Sequence, residues 1–181
     1  QPVALFPAAH FLSRQRIEFP RSPVELGILR NQREKELLQR AGQSVLRHAL
    51  AAKSDTVIRL ITADELANGT ARPRTSGMMT WRFSAKNVRD AVWAASPEFQ
   101  WDASSWRGIM AYAYYRPAAA VNWHDAADQS RLSIIEYSER WFPYPWPHIS
   151  AVEGPISGME YPMIAMENIS NDIYDLYNVI T

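Results

Sequence analysis

The chain has 181 residues, of which 47% are hydrophobic and 21% charged, as in an ordinary globular protein. Its 19 basic residues balance 19 acidic ones, so no excess charge favours nucleic acid or an anionic membrane as partner. No apolar run approaches the roughly 20 residues that span a bilayer, and the absence of Cys excludes disulfides and thiolate metal sites. The composition therefore predicts no nucleic-acid partner and no membrane span, and it leaves the compartment open.

The N-terminal part combines one strong helical pattern with several short strands. Residues 1–30 contain four scattered prolines, which favours extended edge strands or loop. Residues 31–52 carry apolar side chains at three- and four-residue spacing and predict the clearest helix of the chain. Branched or alternating residues predict strands at 57–62, 78–85, 91–95 and 108–115.

The strand at 108–115 predicts two packed faces, because Ala113 and Tyr115 alternate with Tyr112 and Tyr114. We place a domain boundary at about residue 118, after the proline that ends this strand. Beyond the boundary, the sequence predicts a helix at 122–140, strands at 149–152 and 163–166, and a final helix at 171–181. An order of strand-rich and then mixed segments indicates an α+β fold.

One stretch, residues 152–164, reads Val-Glu-Gly-Pro-Ile-Ser-Gly-Met-Glu-Tyr-Pro-Met-Ile. It places glycine and carboxylates in a strand-like apolar run, where glycine packs poorly and a buried charge is costly unless paired. Both become useful where the backbone must approach a ligand and a fixed negative charge must meet a positive one.

This stretch resembles the exopeptidase motif of the zinc aminopeptidases related to membrane alanyl aminopeptidase and leukotriene A hydrolase. It is most similar to a bacterial branch in which the motif reads Gly-Met-Glu-Tyr-Pro-Met, as at residues 158–163. The likeness covers residues 55–181 well and the earlier residues weakly. It continues through Thr-Trp-Arg-Phe-Ser-Ala-Lys-Asn-Val-Arg-Asp at 80–90, Trp-Ala-Ala-Ser-Pro at 93–97 and Trp-Phe-Pro-Tyr-Pro-Trp-Pro-His at 141–148.

The resemblance implies a division of the chain into two incomplete parts. Residues 1–118 would be the C-terminal part of an N-terminal β-rich, sandwich-like domain, and residues 119–181 the beginning of a thermolysin-like catalytic domain. In the family, the next element is a helix with His-Glu-x-x-His that binds zinc and carries the general base. The chain would then be a segment of a zinc metallo-aminopeptidase: the zinc belongs to the full-length parent, and this segment has no metal ligands or catalytic residues and is inactive alone. It would pack on the remainder of the catalytic domain, and the branch it resembles is often exported to the cell envelope.

By resemblance, Glu160 anchors the α-ammonium of a peptide substrate with a free N-terminus. Ser157 and Gly158 would align the peptide as an added strand. Met159 belongs to the same motif, but in an extended segment it alternates with Glu160 and, like Tyr161, faces the other side. The alternative for Glu160 is an exposed charge on an edge strand, where such charges prevent aggregation.

Four further residues accompany this motif. With Met166 before them, Glu167 and Asn168 also match the Met-Glu-Asn part of the family motif. They lack the preceding Gly, so we interpret them as the end of a strand. His148 is either a substrate contact or a structural hydrogen-bonding residue, and His48 is a packed or capping residue of the first helix. A different class of function also stays open: a self-standing, β-rich ligand- or protein-binding module without catalysis that uses its Trp and Tyr side chains.

Overall fold

The computed structural model describes residues 3–5, 43–71, 92–156 and 158–168. The helices in these ranges are α1 (Gln43–Ala51), α2 (Ala63–Ala67), α3 (Ala120–Trp123) and α4 (Ala126–Arg140), with a single 3-10 turn at Pro117–Ala119. The strands are β1 (Val3–Leu5), β2 (Ile58–Ile61), β3 (Ala94–Ser96), β4 (Gln100–Trp106), β5 (Ile109–Tyr115), β6 (His148–Glu153), β7 (Met159–Tyr161) and β8 (Ile164–Glu167). None of the helices in these ranges has the length and hydrophobicity of a transmembrane segment.

Six of the strands form one mixed sheet in the order β2-β4-β5-β6-β8-β7, while β1 and β3 form a separate antiparallel pair. The neighbours β5–β6 and β6–β8 are parallel, and the other neighbours in the six-stranded sheet are antiparallel. This mixture of helices and a sheet agrees with the α+β class predicted from the sequence. Strands from both sides of residue 118 lie in the same sheet, and the division into two named domains stays a prediction.

The hairpin between β4 and β5 follows from its two turn residues. Arg107 and Gly108 both have positive φ, at 49° and 84°, which is the conformation that a type I′ turn requires at both central positions. The guanidinium of Arg107 lies 4.5 Å from the ring centroid of Trp106. This turn sets a regular register in which Trp106 pairs with Ile109 and Gln100 with Tyr115.

Helix α2 begins with a capping box. The Thr62 hydroxyl accepts from the Glu65 N–H at 3.3 Å, and the Glu65 carboxylate accepts from the Thr62 N–H at 3.0 Å. The same carboxylate forms a 2.8 Å ion pair with Arg47 of α1, and these contacts hold the pKa of Glu65 below its ordinary value despite partial burial. One side chain thus caps α2 and joins it to α1.

The sheet is packed on both faces. Helix α4 lies against β4, β5 and β6, and on this face Ser104 donates to the carbonyl of Ala127 at 3.0 Å. The alternation predicted for 108–115 is confirmed, because Tyr115 packs on the α4 side and Tyr114 on the other. The α4-side core consists of Ala113, Tyr115, Ala119, Trp123, Ala126, Ala127 and Ala151. The opposite face holds two clusters, one of Phe99, Tyr114, Val152, Ile164 and Met166 and one of Ala51, Leu60, Ala103 and Met110.

Most predicted elements within the described residues are confirmed, with shifted ends. The strands predicted at 57–62, 91–95, 108–115, 149–152 and 163–166 correspond to β2, β3, β5, β6 and β8. The helix predicted at 122–140 is interrupted at His124–Asp125, and the helix predicted at 31–52 is found at Gln43–Ala51. Strand β4 and helix α2 were not predicted. Residues 31–42, the strand at 78–85 and the final helix at 171–181 lie outside the described residues.

Candidate functional site

The predicted exopeptidase motif lies on the β7–β8 hairpin at one edge of the sheet. In this hairpin Glu160 pairs with Ala165 and Tyr161 with Ile164. The two-residue connection has Pro162 first and Met163 second, with Met163 at φ 70°, the pattern of a type II turn. A left-handed conformation costs an L-residue about 1–2 kcal/mol, and burial of the Met163 side chain offsets this cost. The Tyr-Pro-Met part of the motif therefore has a local structural explanation.

Gly158 opens strand β7 with φ at 64°. A Cβ added at this position would meet no atom within 4 Å, so glycine is required by the backbone conformation and not by lack of space. Ser157, the neighbouring residue predicted to align a peptide, lies outside the described residues.

The side chains of β7 alternate as the sequence predicts. Met159 and Tyr161 pack against the cluster that contains Phe99 and Tyr114, so Met159 contributes packing on the inner side of the strand. Glu160 is exposed on the opposite side of an edge strand. This location is accessible to a ligand, and it is equally the location of a charge that protects a sheet edge.

Two buried carboxylates, one next to this hairpin and one within it, lie at the ends of the parallel strands β6 and β8. Glu153, the last residue of β6, is 0% exposed. Its Oε2 accepts from the Arg116 Nε at 2.8 Å and from the Arg116 backbone N–H at 3.1 Å, and its Oε1 accepts from Nη2 of the same guanidinium. The hydrogen bond to Glu153 in turn raises the pKa of Arg116. This two-pronged pairing compensates the buried charge.

Glu167, the last residue of β8, pairs in register with Glu153 and is 3% exposed. Its Oε2 accepts from the Gly158 N–H at 3.3 Å, and its Oε1 accepts from the Asn168 N–H at 3.0 Å. Its main-chain oxygen accepts from the Gly154 N–H at 2.7 Å. Glu167 therefore lies at the end of a strand, as interpreted from the sequence, and contacts the backbone of the predicted motif.

A third buried acid, Asp102 of β4, lies on the α4 side of the sheet. Its Oδ2 accepts from the Tyr115 hydroxyl and from Nη1 of Arg59, each at 2.5 Å. Burial raises the pKa of Asp102 to about 6, against the opposing effects of the Tyr115 hydrogen bond and the Arg59 and His124 charges. Asp102 and Tyr115 are both 0% exposed, so their arrangement indicates a structural network.

The rings of His48 and His148 both lie against Tyr112. His48 forms a 2.6 Å hydrogen bond with the Tyr112 hydroxyl, and burial lowers its pKa; the prediction of a packed residue is confirmed. His148 begins β6, at the opposite end of that strand from Glu153, and its ring lies 5.8 Å from that of Tyr112. It lies at the end of β6 next to the turn of the β7–β8 hairpin, but its ring is on the face of the sheet opposite to Glu160.

Sequence reasoning missed the Arg116–Glu153 pair and the buried contacts of Glu167. A signal for Glu153 was present, since a carboxylate after Ile149–Val152 in an apolar strand has to find a cation or several donors. The partner could not be identified from the sequence, because Arg116 lies 37 residues earlier and is brought to Glu153 by the parallel β5–β6 pairing.

Compared with protein-family models, curated proteins and solved structures, the chain matches none of them.

Proposed function

We propose that this chain is a segment of a zinc-dependent aminopeptidase and contributes the carboxylate that anchors the substrate's α-ammonium. The observation that carries the proposal is the combination of an exposed Glu160 on an edge strand with a left-handed Gly158 at the start of that strand.

The edge position of β7 supports peptide binding. Within the part of the chain that the structure describes, β8 is the strand hydrogen-bonded to β7, and the other edge of β7 pairs with no strand. An extended peptide can bind such an edge through main-chain hydrogen bonds. Its first residue would then lie near Glu160, whose side chain faces away from the packed cluster around Met159.

Charge supplies the selectivity in this proposal. A free N-terminus carries an ammonium group and an internal peptide bond does not, so a carboxylate at a fixed distance distinguishes the two. A charge-assisted hydrogen bond of this kind contributes about 1.5–3 kcal/mol. Glu153 and Glu167 are buried and engaged with the protein, which leaves Glu160 as the accessible carboxylate of the hairpin.

The described residues do not themselves fit a zinc ion. Among them, no three His, Cys, Asp or Glu side chains come together as a possible metal site. We therefore assign the described residues substrate binding and derive no hydrolytic step from them. Titration of the isolated 181-residue chain with zinc tests the assignment, because a stoichiometric site of submicromolar affinity would contradict it.

The anchoring role is tested by Glu160→Gln in the natural protein that carries this sequence. We expect kcat/KM for an aminoacyl p-nitroanilide to fall about 10- to 150-fold, the equivalent of one charge-assisted hydrogen bond. Hydrolysis of the N-acetylated substrate, which has no ammonium group, should not change. Glu139→Gln on the exposed face of α4 is the matched control; equal activity of the two variants would refute the role of Glu160.

One observation favours the second candidate, a binding module without catalysis. The end of α4 and the segment after it expose large aromatic side chains, including Trp141 at 75% and Phe142 at 67%, and the ring of Tyr137 lies 5.7 Å from that of Trp141. Exposed aromatic clusters often mark interaction surfaces. A self-standing module predicts cooperative unfolding of the isolated chain.

A further inference from the structure

We propose that Glu167 is a positioning residue that holds the backbone of Gly158 and thereby fixes where β7 presents Glu160. The inference rests on the proposed function, in which Glu160 anchors the substrate amine. It assigns a second carboxylate of the same hairpin a different task, carried out through the main chain and without contact to the substrate.

The connection between β6 and β7 is held at both ends by this one residue. At the start of the connection, the Gly154 N–H donates to the main-chain oxygen of Glu167 at 2.7 Å. At its end, the Gly158 N–H donates to Oε2 of the Glu167 side chain at 3.3 Å. Glu167 thus limits both the point where the chain leaves β6 and the point where it enters β7.

Gly158 needs such a contact because of its own conformation. Glycine reaches positive and negative φ with similar ease, so its value of 64° is not fixed by the residue itself. A change of φ at Gly158 would redirect the strand that follows, and Glu160 is only two residues further along. A misplacement of about 1 Å in a group that orients a substrate can reduce the rate of an enzyme about 100-fold.

The environment of Glu167 favours a carboxylate over a neutral side chain. Its two oxygens accept from two different N–H groups, those of Gly158 and Asn168. A glutamine has one acceptor oxygen and directs its NH₂ group at the second donor, so it can retain only one of the two hydrogen bonds. Leucine retains neither. The series Glu, Gln, Leu therefore removes the contacts stepwise at nearly constant side-chain size.

The readout is the selectivity of the natural protein for free over blocked N-termini, measured as the ratio of kcat/KM for an aminoacyl p-nitroanilide and its N-acetylated form. Loss of folded protein lowers both values equally and leaves this ratio unchanged. We expect Glu167→Leu to lower the ratio about 100-fold and Glu167→Gln to lower it by less. Glu139→Gln, on an exposed helix face, should leave it unaltered.

A double substitution shows whether Glu167 acts through Glu160. If it does, Glu160→Gln combined with Glu167→Leu has the same ratio as Glu160→Gln alone, since the anchor whose position is lost is already absent. A further loss of selectivity in the double variant would overturn the proposal.

The two proposals fail in different ways. A ratio that falls in Glu160→Gln but not in either Glu167 variant leaves the anchoring function intact and overturns the positioning role. A ratio unchanged in Glu160→Gln refutes the anchoring function and, with it, the positioning role.

Discussion

Carboxylates are buried and paired in the centre of the sheet, whereas the carboxylate of Glu160 is exposed at the β7–β8 edge. In the centre, Glu153 and Asp102 are fully buried, and each meets an arginine. At the edge, Glu160 is exposed and its strand contributes only its inner side chains to the core. The role of an acid in this chain therefore depends on its neighbours in the sheet, because burial assigns Glu153 to the scaffold and exposure makes Glu160 available to a ligand.

The two regions differ because α4 covers the central strands of the sheet. The helix packs against β4, β5 and β6, and Ala126 and Ala127 on its core side, next to Trp123 of α3, allow close approach to the strands. Glu167 lies between the two regions, since it is buried like the central acids and contacts the backbone of the edge.

The largest expected effect concerns the α4-side core. Trp123 is 1% exposed and packs near Tyr115, so Trp123→Ala should lower the free energy of unfolding by about 4 kcal/mol through lost burial and a cavity. Trp141→Ala, at a 75% exposed position, should change it by less than about 0.5 kcal/mol. Urea unfolding of both variants checks this; similar losses would remove the distinction between the two tryptophans.

Breaking the ion pair between Arg116 and Glu153 is expected to lower the free energy of unfolding by about 3 kcal/mol. Arg116→Met leaves the buried Glu153 carboxylate without its cation, and an uncompensated buried charge is strongly destabilising. Arg140→Met removes an exposed ion pair with Glu136 and should cost less than about 1 kcal/mol. Chemical denaturation compares the two, and the contrast between buried and exposed charge is lost if Arg116→Met costs no more than Arg140→Met.

Asp102 should make the centre of the sheet sensitive to pH. Because burial raises its pKa to about 6 in the folded state, against about 3.9 when unfolded, the native protein binds more protons between these values. Stability from this group is therefore present below about pH 4 and decreases as the pH rises through about 6, by about 2–3 kcal/mol in total.

The difference in unfolding free energy between the wild type and Asp102→Asn isolates this contribution. Arg59 and Tyr115, which face the wild-type carboxylate, are kept in both proteins, and the amide of the variant carries no titrating proton. We expect the wild type to lose unfolding free energy relative to Asp102→Asn as the pH rises from 4 to 7. A constant difference over this range would show that Asp102 keeps the same charge throughout.

The smallest expected effect concerns the backbone of the edge. Gly158→Ala introduces a Cβ at φ 64° and should lower stability by about 1 kcal/mol. Gly154→Ala is the matched control, because that glycine also has open space around it but no positive φ; its effect should stay within about 0.5 kcal/mol. Thermal or urea unfolding measures both, and equal losses would mean that conformation is not the reason for glycine at 158.

The sequence predicted those elements whose pattern depends on local residues. The side chains of β5 alternate between the two faces of the sheet, and the two-residue period of a strand also predicts that Glu160 and Met159 face opposite sides of β7. Strand β4 was missed because it reads as polar: Asp102 and Ser104 face the α4 side of the core. Their hydrogen bonds to Tyr115 and Ala127 make this burial possible, and such partners, 13 and 23 residues away in sequence, cannot be deduced from spacing.

Helix α2 was missed although its signal was present. Thr62 and Glu65 have the spacing of a capping box, but the helix covers only five residues, too few for an apolar period to appear. In the candidate site, the motif residues were proposed from the local sequence alone. The contacts of Glu167 depend on the fold, since they require that β8 lie between β6 and β7.

That strand order has a kinetic consequence. Although β7 precedes β8 in the chain, among the described residues it pairs with β8 alone, and β8 in turn pairs with β6. Because an isolated two-stranded hairpin is marginal in water, we expect the segment with Glu160 to become ordered after β8 has docked. It should also be the first part of the sheet to open in native-state fluctuations, so the amides of β7 should exchange with solvent ahead of those of β5.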